Sequence, residues 1–125
     1  MFPDPEIMLM YVLVPLNPDI RFSTILPAGD PTKITARILR TSGVNRNIWV
    51  DRPVIDIDVF GPKSQAGNVS IAARTIQAQM LSLMSATTPN GVIQHVTTVA
   101  GPRQLPEVNT NFVRFSASYE MHIHS

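Results

Sequence analysis

The spacing of apolar residues switches between two periods along this chain, close to two over some stretches and close to 3.6 over others. The first stretch has Leu9, Leu13 and Leu16 at helical spacing. Asp4 is a suitable N-cap, Pro5 fits the first helical position, and Glu6 suits the positive end of the helix dipole. Met8, Met10, Tyr11 and Val12 make this short helix apolar nearly all round, so it is predicted to be buried in this core or a neighbour's, with a strand as the alternative. Pro15 and Pro18 end it. Period-two alternation then predicts a strand over Ile20–Leu26, a turn at Pro27–Thr32 and a second strand over Lys33–Thr41, with Ile34, Ala36 and Ile38 on one face. Ser42–Asn47 reads as a second turn. A third strand runs from Trp49 to Phe60, with Ile55, Ile57 and Val59 opposite Asp56 and Asp58, and Gly61-Pro62 ends it.

From Ser64 to Ser85 the period becomes helical: Val69, Ala72, Ala73, Ile76, Met80, Leu83 and Met84 form one stripe. Thr88-Pro-Asn-Gly91 breaks this helix. A fourth strand is predicted over Val92–Val99, a loop over Ala100–Thr110 and a last strand over Phe112–His124. In that last strand Val113, Phe115, Ala117, Tyr119, Met121 and Ile123 alternate with Arg114, Ser116, Ser118, Glu120, His122 and His124. The order α-β-β-β-α-β-β predicts one α+β domain over residues 1–125. Its sheet is antiparallel or mixed with four to five strands, the long helix lies on one face, and a short N-terminal helix precedes it.

Composition adds one feature. Charged residues are 15% of the 125, against about 25% in an average soluble domain, and prolines number 11. A surface poor in charge suits burial against partners. The net charge of +1 argues against wholesale nucleic-acid binding, and without cysteine there is no disulfide framework, thiolate metal site or Cys nucleophile. The apolar run Ile7–Leu16 is too short to cross a membrane and lacks a basic flank, so a soluble protein without a targeting signal is expected.

Candidate chemistry is sparse. His122 and His124 are two apart on one strand face, with His95 or Glu120 as a further ligand, but no metal-site spacing accompanies them. Asp56 and Asp58 pair on a strand without a nearby His, Ser or Lys constellation, and read better as a solvated face or as partners of Arg. No Gly-x-Ser-x-Gly or phosphate-loop pattern occurs. Lys33, Arg37, Arg40 and Arg46 form a local basic stretch that would touch DNA phosphates, or pair with Asp51, Asp56 and Asp58 of the next strand or of a neighbouring subunit. The expectation is a protein that is not an enzyme and uses no cofactor or metal.

The Pro3-Asp-Pro-Glu6 start, the strand ending at Leu26-Pro27, the segment Asp51-Arg-Pro-Val-Ile-Asp-Ile-Asp-Val-Phe-Gly61 and the helix segment Ala72-Ala-Arg-Thr-Ile-Gln-Ala78 come in a familiar order. Gly101-Pro-Arg-Gln-Leu-Pro106 and the closing strand around Arg114–His122 follow. Together they resemble the tail terminator proteins, also called tail completion or minor tail proteins, of long-tailed bacteriophages, particularly those of actinobacterial hosts. The resemblance implies a mixed sheet with packed helices and a homo-oligomeric, hexameric ring. Such a ring caps the tail tube, ends its polymerisation and meets head completion or connector proteins. It also implies assembly in the host cytoplasm, a place in the virion at the head–tail junction, and genomic DNA passing through the lumen without sequence-specific binding. A head-side connector or stopper ring has similar size and element content.

For the subunit interface the expected residues are Arg37, Arg40 and Arg46, with Asp56 and Asp58, and Arg103 from the long loop. Sheet edges and the apolar first helix are further candidate patches, because a ring needs two different surfaces per subunit. An Arg40→Glu reversal is expected to impair assembly more than folding.

Overall fold

The computed structural model describes residues 4–24, 33–45, 51–106 and 111–124. Among these described residues six strands form one sheet: β1 (Arg21–Ser23), β2 (Thr35–Asn45), β3 (Asp51–Pro62), β4 (Ala86–Thr88), β5 (Gly91–Leu105) and β6 (Phe112–His124). Their order in the sheet is β1-β2-β3-β6-β5-β4. β1 pairs with β2 in parallel, and every other pair is antiparallel. Helix α1 spans Pro5–Leu13. A 3-10 turn over Lys63–Gln65 leads into helix α2, Ala66–Leu81.

The predicted α+β class holds, with a sixth strand added. β4 lies just after the predicted end of the long helix at Ser85 and runs into the breaker that begins at Thr88. Helix α2 stops at Leu81, where Ser82 Oγ donates to the Gln79 carbonyl at 2.7 Å. Met84, placed by its spacing on the buried stripe, lies past that end and is exposed, whereas the other six stripe residues are buried. Ser85 N–H then donates to Gln94 O at 2.9 Å and opens the β4–β5 ladder. Thr88-Pro-Asn-Gly91 is the hairpin turn of that pair. Thr88 Oγ1 accepts the amides of Asn90 and Gly91, each at 3.2 Å, and donates to Gly91 O at 2.9 Å.

Two predicted loops are strand instead. Ser42–Asn45 continues β2 after a register shift between Arg40 and Ser42. Ala100–Leu105 continues β5 through further shifts between Thr98 and Ala100 and between Ala100 and Arg103. Bulges of this kind absorb an extra residue and let Gly101-Pro102 stay in the sheet. Gly61-Pro62 also remains in β3, opposite Val113 and Phe112. The predicted turn at 27–32, the rest of the turn at 42–47 and the far part of the loop at 100–110 lie outside the described residues.

Asp4 caps α1, accepting the amides of Glu6 at 2.8 Å and Ile7 at 3.4 Å. Met8, Leu9 and Leu13 of α1 enter the same core as Val69, Ala72, Ala73, Ile76 and Met80 of α2. Both helices cover the sheet face carrying Ala36, Ile38, Ile55, Ile57, Val59, Tyr119, Met121 and Ile123. Every inward residue predicted for β6 is in this cluster or packed against it. Tyr119 is fully enclosed, and burial pushes its phenol up to about 12. The opposite sheet face is left without a helix among the described residues, and it holds most of the candidate site.

Candidate functional site

Period two in β3 and β6 sends Asp56, Asp58, Ser116, Ser118, Glu120 and His122 to the face away from the helices. Register decides which of them meet. Arg37 stands opposite Asp58, and its guanidinium forms an ion pair with that carboxylate, whose side chain is nearly buried. Asp58 in turn faces Ser116, and Ser116 faces Arg103 on β5. Arg37, Asp58, Ser116 and Arg103 therefore make one row across four strands. In the adjacent row Ser118 Oγ donates to Asp56 Oδ1 at 2.6 Å.

A second cluster lies at the far end of this face. Arg52 Nη2 donates to Glu120 Oε1 at 2.7 Å, and His122 Nε2 lies 3.2 Å from the same oxygen. The His122 ring stacks on His95 of β5, with centroids 4.0 Å apart and planes inclined by 23°. Arg52, mainly by its hydrogen bond, holds the Glu120 carboxyl below the usual carboxylate range. Burial, and then the neighbouring His95, lower the His122 imidazole, against an opposing pull from Glu120.

Arg40 does not join this face. It belongs with Ala36 and Ile38 on the helix side. There its Nη1 and Nη2 bind the two oxygens of Asp51 at 2.9 and 3.2 Å, and its amide donates to Glu6 Oε2 at 2.8 Å. Asp51 is fully buried. Of the expected interface residues, Arg37, Asp56, Asp58 and Arg103 share the outer face, Arg40 is apart from them, and Arg46 lies outside the described residues. The pairing of Arg37 and Arg40 with β3 carboxylates is one of the two readings the sequence left open. It also divides the basic stretch, because Arg37 and Arg40 occupy opposite faces. The Arg40 pair further changes what an Arg40→Glu reversal reports, since the new carboxylate would sit beside buried Asp51 and damage the fold itself.

Among the described residues no group of three or more His, Asp or Glu side chains is placed to hold a metal ion. His122 is engaged with His95 and Glu120, away from the Asp56 and Asp58 rows. No helix of the described residues is long and apolar enough to cross a membrane.

The apolar surface forms a separate feature. Ile7, Tyr11 and Val14 follow one another at helical spacing along the outside of α1, each roughly half exposed, and Leu16 continues past them. Leu81 and Met84 are exposed at the end of α2. The two helix ends are tied together, because Asn17 and Gln79 exchange amide hydrogen bonds. The sequence marked α1 as apolar all round, but it carried no sign of which flank stays outside. The sequence grouped His122 with His95 or Glu120 only as possible metal ligands. Arg52 and the His95–His122 stack were missed because they depend on the β3–β6–β5 register.

No family model matches the chain, and no curated protein matches it. Among solved structures, a chain from the virion of a native gene transfer agent particle is similar over 97% of this chain and 95% of its own length, with a TM-score of 0.71 at 8% identity. A second solved chain covers 92% of this one and 91% of itself, with a TM-score of 0.56 at 9% identity. At such identities the likeness is one of fold.

Proposed function

We propose that this chain is a structural virion protein without enzymatic activity, forming a ring that caps a phage tail tube, ends its polymerisation and joins the tail to the head. The observation that carries this reading is the end-to-end likeness to a chain of a virion particle. The sequence resemblance to tail terminators points the same way and supplies the finer assignment. Tail tube protein and head completion or connector proteins are the proposed partners besides further copies of the chain, and genomic DNA passes through the lumen without being read.

The chemistry of the surface supports assembly. On the outer sheet face Arg37 pairs with Asp58 and Arg52 with Glu120 within the chain. The outside of α1 presents apolar groups in place of charge. A subunit of this kind loses little by being enclosed, since few free charges must be desolvated.

Electron microscopy of particles made without the protein tests the proposal. Overlong or unfinished tails are expected. Normal tails that fail to join heads would favour the second reading, a head-side connector or stopper ring, which the same fold and surface support. Complete, infectious particles would sink both.

A further inference from the structure

Strand β5 is fifteen residues long, and β4 covers only its beginning, from Gly91 to Ile93, with Ser85 reaching Gln94 O just beyond. From His95 onward the described residues give β5 a partner on one side only, which is β6. The other side is a row of backbone donors and acceptors of the kind that pairs with an added strand. Exposed edges are ordinarily guarded by Lys, Pro or a bulge. Here bulges flank the open stretch, one between Ile93 and His95 and the next between Thr98 and Ala100, and Pro102 and Arg103 follow. Between the first two bulges runs His95-Val-Thr-Thr98, with Val99 at the second; the stretch is rich in β-branched residues and free of Lys, Arg, Asp and Glu, and Thr97, Thr98 and Val99 are exposed.

The other edge of the sheet is built alike. β1 covers Thr35–Arg37 of β2, and Glu6 takes the Arg40 amide. Beyond that contact, Thr41–Asn45 continues as strand with β3 on one side only among the described residues. Each short edge strand thus pairs with the N-terminal end of its long neighbour. Three antiparallel steps separate β2 from β5, so these two strands run in opposite directions. Their uncovered parts therefore lie at opposite ends of the sheet, giving its outline a step at two diagonal corners. A second copy in the same orientation, displaced along the strand direction until the two open ends lie side by side, brings the open part of its β2 antiparallel to the open part of this β5.

We infer that the open His95–Val99 edge of β5 takes the Thr41–Asn45 stretch of a neighbouring copy as an added antiparallel strand. The contact is head-to-tail, joining two different patches, which is the type that builds rings. It rests on the proposal that the chain assembles with itself, and it adds which edges meet and in which direction.

The chain has no cysteine, so engineered pairs report without background. Thr41→Cys protein mixed with Thr97→Cys or Thr98→Cys protein, in the presence of tail tubes, is expected to give disulfide-linked dimers of the two variants for at least one pair, since Cα atoms within about 7 Å suffice. Hydrogen exchange at His95–Val99 is expected to slow at alternate amides on assembly. Dimers formed by Thr98→Cys protein alone would mean that two β5 edges meet about a two-fold axis, which overturns the inference. Rings seen by microscopy without cross-links and without added protection would overturn it too, while leaving the assembly reading intact. A protein that stays monomeric on tubes would overturn both.

Discussion

Asn17 and Gln79 lie amide to amide, Asn17 Nδ2 donating to Gln79 Oε1 at 2.7 Å and Gln79 Nε2 donating to Asn17 Oδ1 at 3.2 Å. Asn17 also donates to the Leu13 carbonyl at 2.9 Å, so one buried side chain closes the end of α1 and fastens it to α2. Truncation leaves the Leu13 carbonyl and the Gln79 amide without these partners. Asn17→Ala is expected to cost about 1–3 kcal/mol of stability, the penalty for buried polar groups stripped of their bonds. Urea unfolding followed by circular dichroism checks this. Gln79→Ala, at a half-buried site, is expected to cost less, and an equal or larger loss would contradict the account.

A second expectation concerns how closely α2 approaches the sheet. A Cβ at Gly61 would clash with Val69 Cγ2, so the helix rests on bare β3 backbone at that point. Gly61→Ala forces the core apart and is expected to cost about 1–3 kcal/mol, as overpacking does. Val69→Ala in the same molecule removes the clashing methyls. The double variant is expected to melt higher than the sum of the two single losses predicts, which differential scanning calorimetry measures.

These contacts mark where sequence reading succeeded and where it ran out. The alternation in β6 and the stripe along α2 were legible because one face of each element is buried, so burial writes its period into the chain. β4 and the far half of β5 were not. Thr88-Pro-Asn-Gly91 and Gly101-Pro102 carry breaker residues, and only the Thr88 hydroxyl bonds and the β5 bulges show that strands continue around them. At the candidate site, the opposite faces of Arg37 and Arg40 follow from period two. Their pairing with Asp58 and Asp51 needs the β2–β3 register, which a bulge shifts by one residue.

The Arg40–Asp51 pair is expected to behave as part of the fold. Asp51 is fully enclosed, whereas the Arg40 side chain keeps 34% of its exposure. Asp51→Asn removes the charge facing two guanidinium donors and is expected to cost about 1.5–3 kcal/mol, the range for hydrogen bonds to charged groups. Arg40→Glu should destabilise further, since it sets a second carboxylate against the buried one. Replacing both, Arg40→Met with Asp51→Leu, is expected to recover much of the loss. Chemical denaturation of the four proteins checks the series. An Arg40→Glu protein as stable as the parent would return Arg40 to the list of purely assembly-directed residues.

The His122–His95 stack gives stability a defined pH dependence. The groups facing it are Arg52 from β3, Glu120 and His124 from β6, and His95 itself from β5. Burial and His95 lower the His122 imidazole below its ordinary value of 6.5, so the unfolded chain binds this proton more readily than the folded one. Stability is therefore full above about 6.5 and falls as pH drops toward the lowered folded value. Glu120, held below 4.5 by Arg52, acts with the same sign at more acid pH, where its protonation favours the unfolded chain. Two successive losses are expected when the urea midpoint is followed from pH 8 to pH 3. His122→Gln should flatten the first and leave the second, and Arg52→Gln should shrink the second. A midpoint for the parent protein that rises between pH 7 and pH 5.5 would contradict the sign.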